Sequence, residues 1–130
     1  MAFLPKVKRT QVQSVLSHCD LLYFGVYDSP VWNFGMSLNK LVDYLMAAKP
    51  VLASYSGYQS MLNEADCGEF VPSGDVAALR AAICRHAEMP PETLTERGQS
   101  GRRWLLENRR WDVLARQYLT ICDTLCDSNE

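Results

Sequence analysis

Between Phe34 and Ser54 the spacing of apolar residues changes period. Counting from Leu38, they recur at Leu41, Val42, Leu45 and Met46, while Asn39, Lys40 and Asp43 share the opposite arc. That i, i+3, i+4, i+7, i+8 pattern predicts a core-facing helix. Ser37 is the expected N-cap, since its hydroxyl can accept an orphan first-turn amide. Gly35 stands just before it, where the backbone must turn or let something approach closely. Lys49-Pro50 ends the helix, because the residue before proline is pushed out of the α region. Val51-Leu52-Ala53 is then an apolar run suited to a strand covered on both faces.

The rest of the chain alternates in the same way. Ala2-Phe-Leu predicts the end of a strand, closed by Pro5. Thr10-x-x-Gln13 fits a capping box, opening a helix to about His18 with Val12, Val15 and Leu16 inward. Asp20–Val26 is apolar and aromatic and predicts a strand. Tyr27–Gly35 has neither period and predicts a loop. Ser54–Tyr58 is a loop at a strand's carboxyl end, with Gly57 permitting the turn. A short helix over Gln59–Asn63 and a strand over Glu69–Val71 follow. Asp75 or Ser73 caps a helix over Val76–Ala87, with Val76, Leu79, Ala82 and Ile83 inward. Pro90-Pro91 breaks the chain. Thr93-x-x-Glu96 is a second capping box, for a helix from Leu94 to about Glu107 anchored by Trp104 and Leu105. Trp111, Leu114, Ala115, Tyr118, Leu119 and Cys122 lie at helical spacing in a last helix over Trp111–Leu125, and Asp127–Glu130 is a frayed tail.

Strands alternating with helices predict an α/β fold: a partial Rossmann-like parallel sheet flanked by helices, with a helical C-terminus. Three or four strands are expected before residue 72, where a full domain of this type has about six. An uncovered sheet edge is a liability, so a homo-oligomer covering the incomplete sheet is expected. At 130 residues, 48% hydrophobic and 22% charged, the chain reads as one globular domain. A net charge of −2 gives no electrostatic reason to expect nucleic acid. No apolar run approaches the length of a transmembrane helix, and Met1–Pro5 lacks the apolar region of a signal peptide. A cytoplasmic protein, peripheral to the inner face of a membrane at most, is expected. The five cysteines are scattered, which suggests reduced thiols. Cys122 and Cys126 stand at i, i+4 with no histidine near them, so no metal site is expected.

The chemistry suggested by these elements centres on the predicted helix start at Met36–Asn39. Free first-turn amides and the positive end of a dipole form an anion site suited to phosphate. Asp43 lies six residues past Ser37, roughly 9 Å along a helix axis, about the offset between the diphosphate and the ribose of a nucleotide. A carboxylate there can accept from two ribose hydroxyls, and Lys40 can add charge near the phosphates. The same residues also fit a plain cap with a solvated Lys40–Asp43 pair. In the loop, Trp32 or Phe34 could pack on a ligand, with Asp28 or Asn33 touching it, or the aromatics could anchor the loop to its own core. His18 reads as a helix-end residue. Arg102, Arg103, Arg109 and Arg110 read as a solvated face carrying ion pairs.

The run S-x-N-K-L-x-D-Y-L-x-A-x-K-P-V, Ser37 to Val51, resembles the nucleotide-sugar-binding segment of family-4 glycosyltransferases of the two-domain GT-B fold. The stretch Glu64–Asp75 with Ala78-Leu79 resembles the next block, in which a G-x-x-V-P-x-G-D turn leads into a helix. The resemblance covers nearly all of the chain, and only the final part of such an enzyme, which is roughly three times longer with two domains of usual size. It implies that residues 1–130 correspond to the last part of the donor-binding domain and that the N-terminal acceptor domain is a missing partner. It implies no cofactor, the substrate being a nucleotide-diphosphate sugar such as a UDP- or GDP-sugar. It assigns donor binding to Gly35, Met36, Ser37, Asn39, Lys40 and Asp43, and more weakly to Asn33, Phe34, Ser56 and Gly57.

Many members carry two acids separated by seven residues. The second matches Asp43, but eight positions earlier stands Gly35, so the first acid's role at the donor sugar has no counterpart. The Ser37-x-x-Lys40 form resembles the branch with serine and lysine instead. A transferase part, inactive without its acceptor domain, and a non-catalytic binding or assembly module that kept only the fold are the two functional expectations.

Overall fold

The computed structural model describes residues 5–36, 38–58 and 61–127; the strand expected over Ala2–Leu4, Ser37, and the start of the helix expected at Gln59 lie outside them. The elements in order are a 3-10 turn (Arg9–Gln11), α1 (Val12–Ser17), β1 (Leu22–Gly25), a second 3-10 turn (Pro30–Phe34), α2 (Asn39–Met46), β2 (Val51–Ser54), α3 (Met61–Glu64), β3 (Gly68–Val71), α4 (Val76–Glu88), α5 (Pro91–Asn108) and α6 (Trp111–Asp127). The strands form a parallel sheet in the order β1-β2-β3, with Leu22 opposite Val51 and Val51 opposite Gly68. The fold is therefore α/β, with a parallel sheet flanked by helices and a helical C-terminus. No helix among the described residues is long and apolar enough to cross a membrane.

Register and the two-residue strand period assign the faces. Leu22, Phe24, Val51, Ala53 and Tyr55 join Leu41 and Leu45 of α2, Leu62 of α3, Cys67 and Leu105 of α5 in the main core. Two glycines of α5 allow its close approach: a Cβ on Gly98 would stand 2.0 Å from the Ala48 carbonyl oxygen, and one on Gly101 would stand 2.8 Å from Cys67 Cβ. On the other face Leu52, Val71 and Ala82 of α4 form a smaller cluster, and Tyr23 of β1 is half-exposed there.

Several expectations need correcting. α2 starts at Asn39, with the extended Leu38 at the N-cap position and no side-chain cap. The backbone there turns one residue beyond the serine expected to cap it. Val42 is exposed, while Leu41 and Leu45 are buried and Met46 packs partly buried beside them. The first capping interaction is Gln11 Oε1 accepting from the Lys8 amide, not a Thr10–Gln13 box. In α4, Val76 and Ile83 face solvent, since a three-stranded sheet is too narrow to cover them; buried His86 takes the inward place, its Nδ1 2.9 Å from the Ala82 oxygen. α5 starts at Pro91 rather than Leu94, with proline at the first helical turn where its missing amide costs nothing. Asp75 does cap α4, accepting from the Ala78 amide at 2.8 Å, and Leu105 and Trp104 do anchor α5. Of the cysteines, all free, Cys67 alone is buried.

Candidate functional site

Parallel strands present their carboxyl ends together, and there the loops after β1, β2 and β3 meet. The loop after β1 is held by its aromatic. Trp32 is half-buried, its Nε1 donates to the Tyr27 oxygen at 2.9 Å, and its ring meets Tyr55 edge-on at 6.0 Å. Tyr55 in turn donates to the Trp32 oxygen at 3.0 Å. Trp32 thus anchors the loop to the core, whereas Phe34 is 93% exposed and free to meet a ligand. Gly57 is required by this contact, since a Cβ there would stand 2.7 Å from both Trp32 Cβ and its carbonyl oxygen.

Gly35, at φ +106°, closes the 3-10 turn, donating its amide to Trp32. It is the left-handed backbone that glycine adopts at least cost. Met36 packs half-buried against the main core, and Asn39 and Lys40 are exposed on the first turn of α2. The Lys40 ammonium lies 5.8 Å from the centre of the Phe24 ring rather than on Asp43. Ser56 accepts from the Ser73 amide at 2.9 Å, tying the β2 loop to the β3 loop. Asp28 and Asn33 line a hollow of about 320 Å³ with Ser29 and Pro30, and Ser56 and Gly57 line another of about 270 Å³. A larger groove of about 530 Å³ runs from Tyr23 and Gly25 to Ser73–Val76. Met36, Asn39, Lys40 and Asp43 border none of these three; their helix turn lies on the outer flank of the same edge.

Asp43 carries the unforeseen geometry. Its Oδ2 accepts from Arg9 Nη1 at 2.5 Å, and Gln13 Nε2 donates to its backbone oxygen at 3.1 Å and approaches Oδ1 at 3.5 Å. The pair raises the Arg9 pKa above its ordinary value, first through the hydrogen bond and then through charge. Arg9, in the first 3-10 turn, and Gln13, in α1, stand four residues apart, thirty-four and thirty residues before Asp43. That spacing is the signal from which they could have been found; the basic cluster Lys6, Lys8, Arg9 is another. Asp43 is neither sealed in the core nor free. Its carboxylate is held in one orientation, with lone pairs still able to accept from hydroxyls.

No protein-family model, curated protein or solved structure matches this chain.

Proposed function

We propose that the chain is the donor-binding portion of a glycosyltransferase that moves a sugar from a nucleotide diphosphate to an acceptor in surface polysaccharide or glycan synthesis. The supporting observation is the start of α2 at the carboxyl edge of a parallel sheet, with Lys40 in its first turn and a fixed carboxylate, Asp43, one turn further on. The family resemblance of Ser37–Val51 falls on this loop, helix and strand. In this reading the first-turn amides and Lys40 stabilise the charge that develops on the diphosphate as the bond to the sugar breaks. Asp43 orients the ribose, and Gly35 and Met36 set the turn that brings the phosphates to the helix. Asn33, Phe34, Ser56 and Gly57 stand at the sugar side. The acceptor and any base come from an N-terminal acceptor domain, and the transfer takes place in the cytoplasm or at the inner face of a membrane.

Titration with UDP and GDP, followed by amide chemical shifts, tests this. Weak saturable binding, with shifts at Lys40 and Asp43 that Asp43→Asn abolishes, is the expected result. Absence of binding at millimolar nucleotide, or shifts confined to the groove beside Tyr23, overturns it. The Arg9–Asp43 pair favours a second reading, a module that kept the fold and lost the reaction, because it already engages one oxygen of the carboxylate. A transfer assay with a supplied acceptor domain separates the two.

A further inference from the structure

The last helix carries a long apolar stripe. Trp111, Ala115, Tyr118, Cys122 and Leu125 recur at intervals of four, three, four and three, flanked by Leu119 and Ile121. Trp111 is 88% exposed and Tyr118 69%, and Leu119, Ile121 and Leu125 are each 58% or more exposed. None of residues 111–126 is buried. Contact with the body of the fold runs mainly to α5, and only Val113 and Leu114 near the start of α6 and Cys122 further along are half-covered.

We propose that a second copy of this chain covers the stripe, α6 against α6 in a two-fold symmetric pair. The alternating spacing averages 3.5 residues, the repeat that keeps one face of a helix against an identical helix. Large rings alternate with small side chains along it, so a ring of one copy can seat among the small residues of the other. Charge does not oppose the pairing. Asp112 is held between Arg110 and Arg116 at 3.0 Å each, a trio of net charge +1 that Asp123 balances further along the helix. A lipid surface would call for a polar face rich in lysine and arginine, whereas α6 has Arg116 beside Asp112 and Asp123.

The area also fits. Each ring carries ~200 Å² and each aliphatic side chain ~100 Å². At their exposures they offer roughly 500 Å² per copy, or about 1000 Å² across a pair, the threshold for a specific interface. An isolated monomer seldom leaves a continuous patch above a few hundred Å² in water.

Sedimentation equilibrium at tens of micromolar decides the matter. The unaltered chain, 14.7 kDa, is expected to sediment at the mass of two chains. Tyr118→Glu and Ile121→Asp are each expected to halve that mass with helix content and urea midpoint unchanged, since both positions face water in the single chain. Tyr23→Glu, on the open sheet face, is expected to leave the pair intact. A one-chain mass for the unaltered protein overturns the proposal, and flotation of that form with phosphatidylglycerol vesicles then assigns the stripe to a lipid surface. A pair that survives both α6 changes and dissolves with Tyr23→Glu also overturns it, and places the contact on the sheet.

Discussion

The two faces of the sheet are built to different standards. On one, α2, α3 and α5 bury Leu41, Leu45, Val51, Leu62 and Cys67 completely, and two glycines let helix and backbone touch. On the other, α4 alone covers β2 and β3, while Tyr23 and Gly25 of β1 remain open to water and Ile83 is 46% exposed. Hydrophobic stabilisation scales with apolar area removed from water, so the fold is held chiefly from one side. The start of α2 and the Arg9–Asp43 pair ride on that packed side. That site therefore stands on a rigid support, while the sparse face and α6 keep apolar side chains in water. Substitutions that strike the two sides equally in chemistry should therefore differ widely in effect.

Thiol chemistry should show the largest contrast. Burial pushes the Cys67 thiol up to about 12, with the nearby Asp66 charge adding to it. At pH 8 its thiolate fraction is about a thousandfold below that of an ordinary cysteine. Exposed Cys84 and Cys126 should react with a disulfide reagent at ordinary rates, and Cys67 only as the protein unfolds. The folded state keeps this proton longer than the unfolded one, so the associated stability is intact below pH 9 and is lost as pH rises through about 12. Comparable labelling of all the cysteines in the native protein would show that the packed face opens readily.

Backbone proximity gives the next contrast. Gly98→Ala drives a methyl into the Ala48 carbonyl, backbone against backbone, and should cost about 3 kcal/mol of unfolding free energy. Gly25→Ala clashes with the Tyr23 hydroxyl at 2.7 Å, the far end of a side chain that can swing into water, meets Ser54 Cβ at an ordinary 3.5 Å, and should cost about 1 kcal/mol or less. Urea titrations of the two variants give both numbers. Equal losses would mean that the open face is as rigid as the closed one.

How much of this could be read beforehand depends on range. The three strands, the inward Leu41 and Leu45 and the Asp75 cap are local patterns, and each appears where its residues predict it, whereas α2 stops at Met46, before Lys49-Pro50, where Ala48 turns left-handed. The features missed need a partner distant in sequence. Gly98 and Gly101 look like helix weaknesses until Ala48 and Cys67 are set against them. Arg9 and Gln13 look like the surface of a short helix until the topology lays them along α2. Val76 and Ile83 have inward spacing, but only a wider sheet would cover them. The stripe on α6 shows the same limit from the other side: helical spacing says that a face is apolar, not what lies against it. The candidate site divides likewise. Gly35, Lys40 and Asp43 are legible as a motif, but the orientation of the Asp43 carboxylate is not, because it depends on Arg9.

That dependence can be measured. Arg9 is 76% exposed, so Arg9→Ala should leave the urea midpoint almost unchanged. If the guanidinium positions Asp43 for ribose hydroxyls, the same change should weaken UDP or GDP binding about tenfold, and Arg9→Lys should restore part of it. Stronger binding on removing Arg9 would instead identify the pair as an obstacle to the nucleotide.

The smallest effect probes the packed face from within. Ala48 follows the end of α2 with φ +54°, a left-handed position that most helices give to glycine. Ala48→Gly should raise the unfolding free energy by about 1 kcal/mol by relieving its Cβ. Asp66, at φ +47° in the turn before β3, is the control, because aspartate tolerates this region better; Asp66→Gly should gain only a few tenths. The Ala48 carbonyl is the group against which Gly98 packs, so the strained residue and the close contact belong to one joint. If Ala48→Gly stabilises by less than Asp66→Gly, the joint is holding Ala48 through contacts of its methyl, and the tight side of the molecule owes more to side-chain packing than to the approach of backbone to backbone.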